Sequence, residues 1–406
     1  MNHLKCQLLY ATLALVLSSP APGAETAAAP APELLVFEWN ARMRHESVDD
    51  DAFARTAQAT TLRLRLGTRA NFGKGWSALI EGEGIAALDD SYNSGANGQT
   101  TRPAIIDPDG AELNQVWAGW RGSQFAATLG RQRVALDHQR WVGNVGWRQN
   151  EQTFDAVGLE WKPVAELSAR YYWLDRVHRV GGDDARDRLA RERRLNTHLL
   201  DLSYAQSSQA FGAYVYAHED EDVPGASSLT TGARWTANHV KDGRGWNWRV
   251  EAAWQGDRAD NPLEFSHRYW LLEPAYTWRG IAWRAGWEHL GGDGRHALQT
   301  PLATLHAFNG WADQFLATPA AGLEDRYIGA GGALGKGERS SQMKWAVLWH
   351  DYRADRGDAR YGSEWDASLS FPIHGKLTGL VKLADYRSDE FARDTTKFWL
   401  QLEWVM

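Results

Sequence analysis

The stretch Thr61-Leu62-Arg63-Leu64-Arg65-Leu66-Gly67-Thr68-Arg69-Ala70 alternates apolar and basic side chains with a period of two. A strand sends successive side chains to opposite faces, so this pattern puts Leu62, Leu64, Leu66, Thr68 and Ala70 on one face. Arg63, Arg65 and Arg69 fall on the other. A helix would wrap both sets around one cylinder and separate neither.

The same alternation extends in both directions. Leu35, Phe37, Trp39, Ala41 and Met43 oppose Glu38, Asn40, Arg42 and Arg44. Further on, Trp246, Trp248, Val250, Ala252 and Trp254 oppose Asn247, Arg249, Glu251 and Gln255. Ile281, Trp283, Ala285 and Trp287 oppose Arg284 and Glu288. Phe398, Leu400, Leu402, Trp404 and Met406 close the chain, opposing Lys397, Gln401 and Glu403. The pattern is weakest near residues 111–133, 209–219 and 324–335.

Alternation also occurs in soluble sandwiches, but the connections here separate the two. Asn71–Gly75, Gly122–Ser123, Pro163–Glu166, Ser207–Ser208, Arg279–Gly280 and Phe371–Gly375 read as tight turns. Between them lie long polar stretches at 88–111, 131–153, 177–195, 256–267 and 290–323. Short turns at one end and long loops at the other are the grammar of an outer-membrane barrel. A spanning strand needs roughly 9–11 residues. At about 20 residues per strand and connection, a chain of this length holds on the order of 18 strands. The expected fold is all-β: a transmembrane antiparallel up-and-down β-barrel over residues 34–406, with long extracellular loops and short periplasmic turns.

Composition agrees. The 406 residues include 22 Trp, 13 Tyr and 12 Phe, more Trp than a soluble core calls for. Amphipathic rings of this kind suit the two water–lipid interfaces. The net charge of −7 argues against a nucleic-acid partner. Residues 1–24 read as a signal peptide: Lys5, the apolar run Leu8–Leu17, then Ser18, Ser19 and the small residues to Ala24. The apolar run is too short for an anchor. An Ala/Pro-rich linker covers 25–33. Cys6 is the one cysteine, and it falls in the leader, so no disulfide is expected.

With the apolar face toward lipid, the charged face lines a lumen. It carries Arg42, Arg44, Arg63, Arg65, Arg69, Arg170, Arg234, Arg249 and Arg284. Guanidinium binds carboxylate in bidentate fashion and stays charged, so such a ladder could pass a polyanion from site to site. Ion pairs that merely brace the lumen are the other reading, best for Arg249–Glu251 and Arg284–Glu288. Arg63 and Arg65 look harder to balance. Asn144, Trp147, Gln149 and Asn150 in one long loop, and Phe308, Asn309, Trp311 and Asp313 in another, are candidates to form a constriction. An outer lid packed on its own aromatics is the alternative.

Gly130–Trp161 (GRQRVALDHQRWVGNVGWRQNEQTFDAVGLEW) and Thr304–Tyr327 (TLHAFNGWADQFLATPAAGLEDRY) resemble the alginate-export family of outer-membrane barrels. The resemblance implies a monomeric barrel with an Arg-lined, anion-selective pore for a uronic-acid polysaccharide. It makes Arg131, Arg133 and Arg148 carboxylate contacts. Parity puts Arg131 and Arg133 in phase with lipid-facing Leu129, so either a bulge or a position above the membrane band is expected. Implied partners are an anionic saccharide, outer-membrane lipid and lipopolysaccharide, the barrel assembly machinery and a periplasmic export partner. The implied site is the outer membrane of a Gram-negative cell.

No Walker A, dinucleotide fingerprint or H-E-x-x-H occurs, and no His has metal-ligand spacing. His198 alone looks outward, with no Ser beside it, so no enzyme is expected. Acid-rich Asp49–Asp51, Asp183–Asp184 and Glu219–Asp222 read as solvated loops rather than Ca²⁺ sites. No metal or cofactor is expected. Two other functions stay open: a general porin for small polar solutes, and a barrel that anchors an enzyme or adhesin.

Overall fold

The computed structural model describes residues 34–335 and 342–406. The leader, the linker and Cys6 lie outside the described residues. The strands are β1 (Leu35–Asp50), β2 (Ala57–Gly73), β3 (Trp76–Ala87), β4 (Gly110–Arg121), β5 (Phe125–Gln132) and β6 (Thr153–Val164). Then come β7 (Leu167–His178), β8 (Glu192–Gln206), β9 (Gln209–His218), β10 (Ser228–Asn238), β11 (Arg244–Asp257) and β12 (Ser266–Trp278). The last are β13 (Ile281–Leu290), β14 (Leu323–Ala333), β15 (Lys344–Arg353), β16 (Arg360–His374), β17 (Leu377–Ser388) and β18 (Thr395–Val405).

They form one 18-stranded sheet in which sequence neighbours pair antiparallel. It closes where β1 meets β18, from Asn40 opposite Val405 to Asp50 opposite Thr395. Closure leaves no unpaired edge, which a spanning sheet requires. The six predicted tight turns all join strands, and the connection at 239–243 between β10 and β11 is a seventh that the sequence pattern did not single out. The weakest alternating segments are nevertheless strands: β4, β5, β9 and β14.

Lipid and water sort the two faces. Leu62, Leu64, Leu66, Ile80, Leu129, Leu200, Leu202, Ile328 and Leu400 stand exposed on the outside. Aromatic rings crowd the short-turn end: Phe72, Trp76, Trp120, Phe125, Trp161, Phe211, Trp246, Trp278 and Trp283 are exposed within a few residues of a turn. That is one aromatic girdle. Among the described residues no helix is long and apolar enough to cross a membrane.

Two long loops do not stay outside. The β5–β6 loop (133–152) and the β13–β14 loop (291–322) turn into the barrel and form its apolar core. Val134, Leu136, Trp141, Val142, Leu298, Leu302 and Phe315 pack there against inward Leu174, Tyr214, Tyr269, Tyr352 and Trp399.

Candidate functional site: a lumen bridged by two loops

The inner face has two chemically different walls. On β1, β2, β17 and β18 stand Arg42, Arg44, Arg63, Arg65, Lys382 and Lys397, all buried. On β11, β13, β14 and β16 stand Glu251, Glu288, Asp325, Glu364 and Asp366, also buried, with Tyr214, Tyr269 and Tyr352 on β9, β12 and β15. Buried charges need partners, and the loops supply many of them.

The β5–β6 loop lies with its carbonyls against the basic wall. Arg42 Nη1 donates to the carbonyls of Gly146, Trp147 and Arg148 at 3.1, 3.3 and 3.2 Å. Arg63 Nη1 and Arg65 Nη2 donate to the Gln149 carbonyl at 3.3 and 3.2 Å. The Arg44 guanidinium sits 4.1 Å over the Trp147 ring. Arg148 reaches back to Glu46 at 3.1 Å. Glu403 accepts from Arg42 and Arg63, while Glu83 and Glu151 hold Arg65. The Arg63/Arg65 cluster, expected to be hard to balance, is therefore balanced by acids from β18, β3 and the loop.

The other end of this loop meets the acidic wall. Arg140 Nε pairs with Glu288 at 2.8 Å. Trp141 Nε1 donates to Glu251 at 2.7 Å. The second loop is tied to the first through Gly143 N to Leu302 O at 2.9 Å and Thr304 N to Gln139 O at 3.0 Å. It then runs along the inner face from β13 to β18. Asn309 donates to Glu288 and Asp325. Backbone amides of Trp311 and Ala312 donate to Asp366 and Glu364. Gly310 has φ +84°, and a Cβ there would run into Tyr352 and Glu364, so only glycine lets the loop come this close.

A cation sits at the centre. Lys382 Nζ lies 4.2 Å from the Trp147 ring centre and 3.8 Å from that of Trp311, one from each loop. Its third neighbour is His306 Nε2 at 2.6 Å. His306 stacks on Trp147 at 4.4 Å, and its Nδ1 lies 2.7 Å from Asp313. Asp313 also takes Lys397 at 2.7 Å and Arg148 at 3.3 Å. Burial alone would raise the Asp313 carboxyl; His306, Lys397 and Arg148 override it and hold it well below the ordinary range. In the same way burial of Glu151 is overridden by Arg133 and Arg65, which take its carboxyl down to about 2. Burial carries His306 down to about 3, against the pull of Asp313 and with help from Lys382.

The remaining predicted residues fall as follows. Arg69 (with Glu38), Arg170 (with Asp201) and Arg249 and Arg284 (both with Glu273) lie on the inner face near the short turns. Their side chains keep 31%, 26%, 39% and 17% of their exposure. The pairs Arg249–Glu251 and Arg284–Glu288 do not form; a residue two or four along one strand lies farther off than Glu273 on the neighbouring strand. Arg234 pairs with Asp201 and Asp137. Arg133 lies beyond the end of β5, against Glu81 and Glu151. Arg131 keeps the outward phase and pairs with Asp155 at the strand top, so it is not grouped with the lumen set. Asn144 donates to Glu151 and Gln149 to Thr61. Asn150 is buried, and Phe308 lies under the Arg140 guanidinium.

Sequence reasoning missed Lys382 and the inward tyrosines. Tyr214 and Tyr216 alternate with outward Val215, but apolar-outside counting scores an aromatic as outward. Their hydroxyls were the overlooked signal: Tyr214 donates to Glu251 and Tyr269 to Glu288.

Residues 33–293 match the family described as Alginate export. No curated protein matches. Among solved structures, Pseudomonas aeruginosa OpdO is similar with a TM-score of 0.72 at 14% identity, over 92% of this chain and 97% of that one. OccK9 (OpdG) of the same organism gives 0.74 at 15%, over 92% and 98%. Acinetobacter baumannii OccAB3 gives 0.72 at 12%, over 92% and 99%. At such identities the likeness is one of fold.

Proposed function

The chain belongs to the Alginate export family, and on that premise we propose that it is an outer-membrane channel passing an anionic saccharide by diffusion. The observation that carries this is the set of partly exposed arginines at the short-turn end: Arg69, Arg170, Arg249 and Arg284. Unlike the buried basic wall, these keep water-exposed donors while Glu38, Asp201 and Glu273 stop them from trapping an anion. Weak, repeated sites of this kind suit conduction. The short-turn end faces the periplasm of a Gram-negative cell, where a uronate polymer or oligomer enters. The barrel works as a monomer among lipopolysaccharide, after insertion by the assembly machinery through its final strand.

A second function is favoured by one observation: the two loops join across the lumen. A bridged lumen suits small polar solutes better than a threaded chain. Reversal potentials in planar bilayers, followed by block with uronate oligomers of rising length, separate the two. Anion preference with block that deepens with length supports the saccharide channel. Cation preference without block sinks it, and anion preference with block only by monomers favours the small-solute porin.

A further inference from the structure

Asp137, His138 and Glu251 converge where the β5–β6 loop meets the inner face of β11. Their ligating atoms lie within 4.8 Å of one another. Glu251 is 1% exposed. Its Oε1 accepts from Trp141 Nε1 at 2.7 Å and from the Tyr214 hydroxyl at 2.5 Å. Its Oε2 has no hydrogen-bond partner and faces His138 Nε2 at 3.5 Å. That ring nitrogen is equally buried without a hydrogen bond.

The gap is too long for a charge-assisted hydrogen bond, which closes to about 2.7–2.9 Å. It fits two ligands on one small cation: bonds of about 2.1 Å at a tetrahedral angle set ligand atoms roughly 3.4 Å apart. His138 Nδ1 lies 2.7 Å from Asp137 Oδ2. A carboxylate on the far ring nitrogen fixes the tautomer that turns the Nε2 lone pair toward a metal. We propose that His138 Nε2 and Glu251 Oε2 bind a first-row divalent cation of the zinc type, with Asp137 orienting the imidazole.

Imidazole with carboxylate is a donor set such ions accept. The Asp137 side chain is 33% exposed, so the open coordination positions go to water. Arg234 adjoins Asp137 at 3.2 Å and lowers the local attraction for a cation; Asp201 offsets it at 2.6 Å. The ion clips the tip of the β5–β6 loop to the barrel wall, whatever solute passes. The other cluster, His289 with Glu324 and Asp355, is on the outward phase and serves as the control.

The test uses the full barrel, folded in detergent and stripped with EDTA, with folding checked by heat-modifiable migration on gels. Co²⁺ is titrated by visible absorption and Zn²⁺ by calorimetry. About one equivalent should bind, with Glu251→Gln and His138→Gln each removing it and Asp137→Asn weakening it about 10–100-fold. Glu324→Gln should leave it unchanged. No saturable binding overturns the proposal. So does binding that survives His138→Gln, a loop change that leaves every strand intact and decides the matter if Glu251→Gln fails to fold. Loss of binding in Glu324→Gln alone places the ion outside the lumen and likewise overturns it.

Discussion

His306 is held as a neutral ring by two opposite demands. Its Nδ1–H donates to Asp313, and its Nε2 accepts from the Lys382 ammonium. Protonating Nε2 would set two cations against each other in a buried site. Burial is the largest cause of its depressed affinity for protons, with Lys382 and Arg148 adding to it and Asp313 opposing. The sign follows by linkage. An undocked, solvated His306 takes its proton near pH 6.5, the docked ring only near 3. Docking is therefore unaffected above pH 6.5 and weakens as pH falls from there, by about 1.4 kcal/mol per unit. Asp313 and Glu151 work in a lower window: their contribution is whole above about pH 4, where a free carboxyl titrates, and is lost as pH falls from there through their depressed values. Single-channel current should grow larger or noisier between pH 6.5 and 4, and His306→Gln should flatten that dependence. An unchanged profile in His306→Gln would assign the titration elsewhere. Asp313→Asn should be the harsher change, because it leaves Lys397 buried without its acid, while Arg148 keeps Glu46. Breaking a buried pair this way costs roughly 3–5 kcal/mol, read as loop proteolysis or a lowered melting temperature.

The β1 and β2 arginines act on a loop rather than on solvent. Arg42, Arg63 and Arg65 make five hydrogen bonds, from three nitrogens, to the carbonyls of residues 146–149. Arg63→Ala with Arg65→Ala should therefore free that segment, raising open-channel current and noise while shifting anion preference little. A large fall in anion preference with quiet current would reverse the assignment and return the pair to solute contact. This division explains what the chain made legible. Lipid outside and polar groups inside sort alternate residues in every strand, so Leu62–Leu66 and Arg63–Arg65 could be placed from local order alone. The partners of Arg42 are more than 100 residues away, and no local pattern encodes them. Inward tyrosines escaped for a different reason, since a phenol is apolar by ring and polar by hydroxyl. Arg131 has the outward phase that parity assigns it, Gly130 at φ +121° lets β5 close on Val116 and Trp117 of β4, and the chain leaves the strand phase only past Gln132, where β5 ends.

For the whole barrel, selectivity should follow the charges that water still reaches. The net charge of −7 is a poor guide, because Arg42, Arg63 and Arg65 of the buried basic wall are offset by Glu403, Glu83 and Glu151 and Lys397 by Asp313. Near the short-turn end the inner face keeps partly exposed Arg69, Arg170, Arg249 and Arg284. Arg249 and Arg284 share one acid, Glu273, at 3.6 and 3.7 Å, so that patch keeps a positive surplus. Solvated charges act only within a Debye length, about 10 Å at 0.1 M salt and about 3 Å at 1 M. Anion preference measured by reversal potential should then decline as salt is raised across that range. Arg249→Ala with Arg284→Ala should leave Glu273 uncompensated and move the preference toward cations at 0.1 M. Arg249 acts on Asp137 of the β5–β6 loop only through space, and among the described residues both side chains pair with Glu273 of β12 rather than with a loop, so the conductance noise should stay near the wild-type level. Selectivity that is indifferent to both salt and these two substitutions would locate the filter at the loops instead.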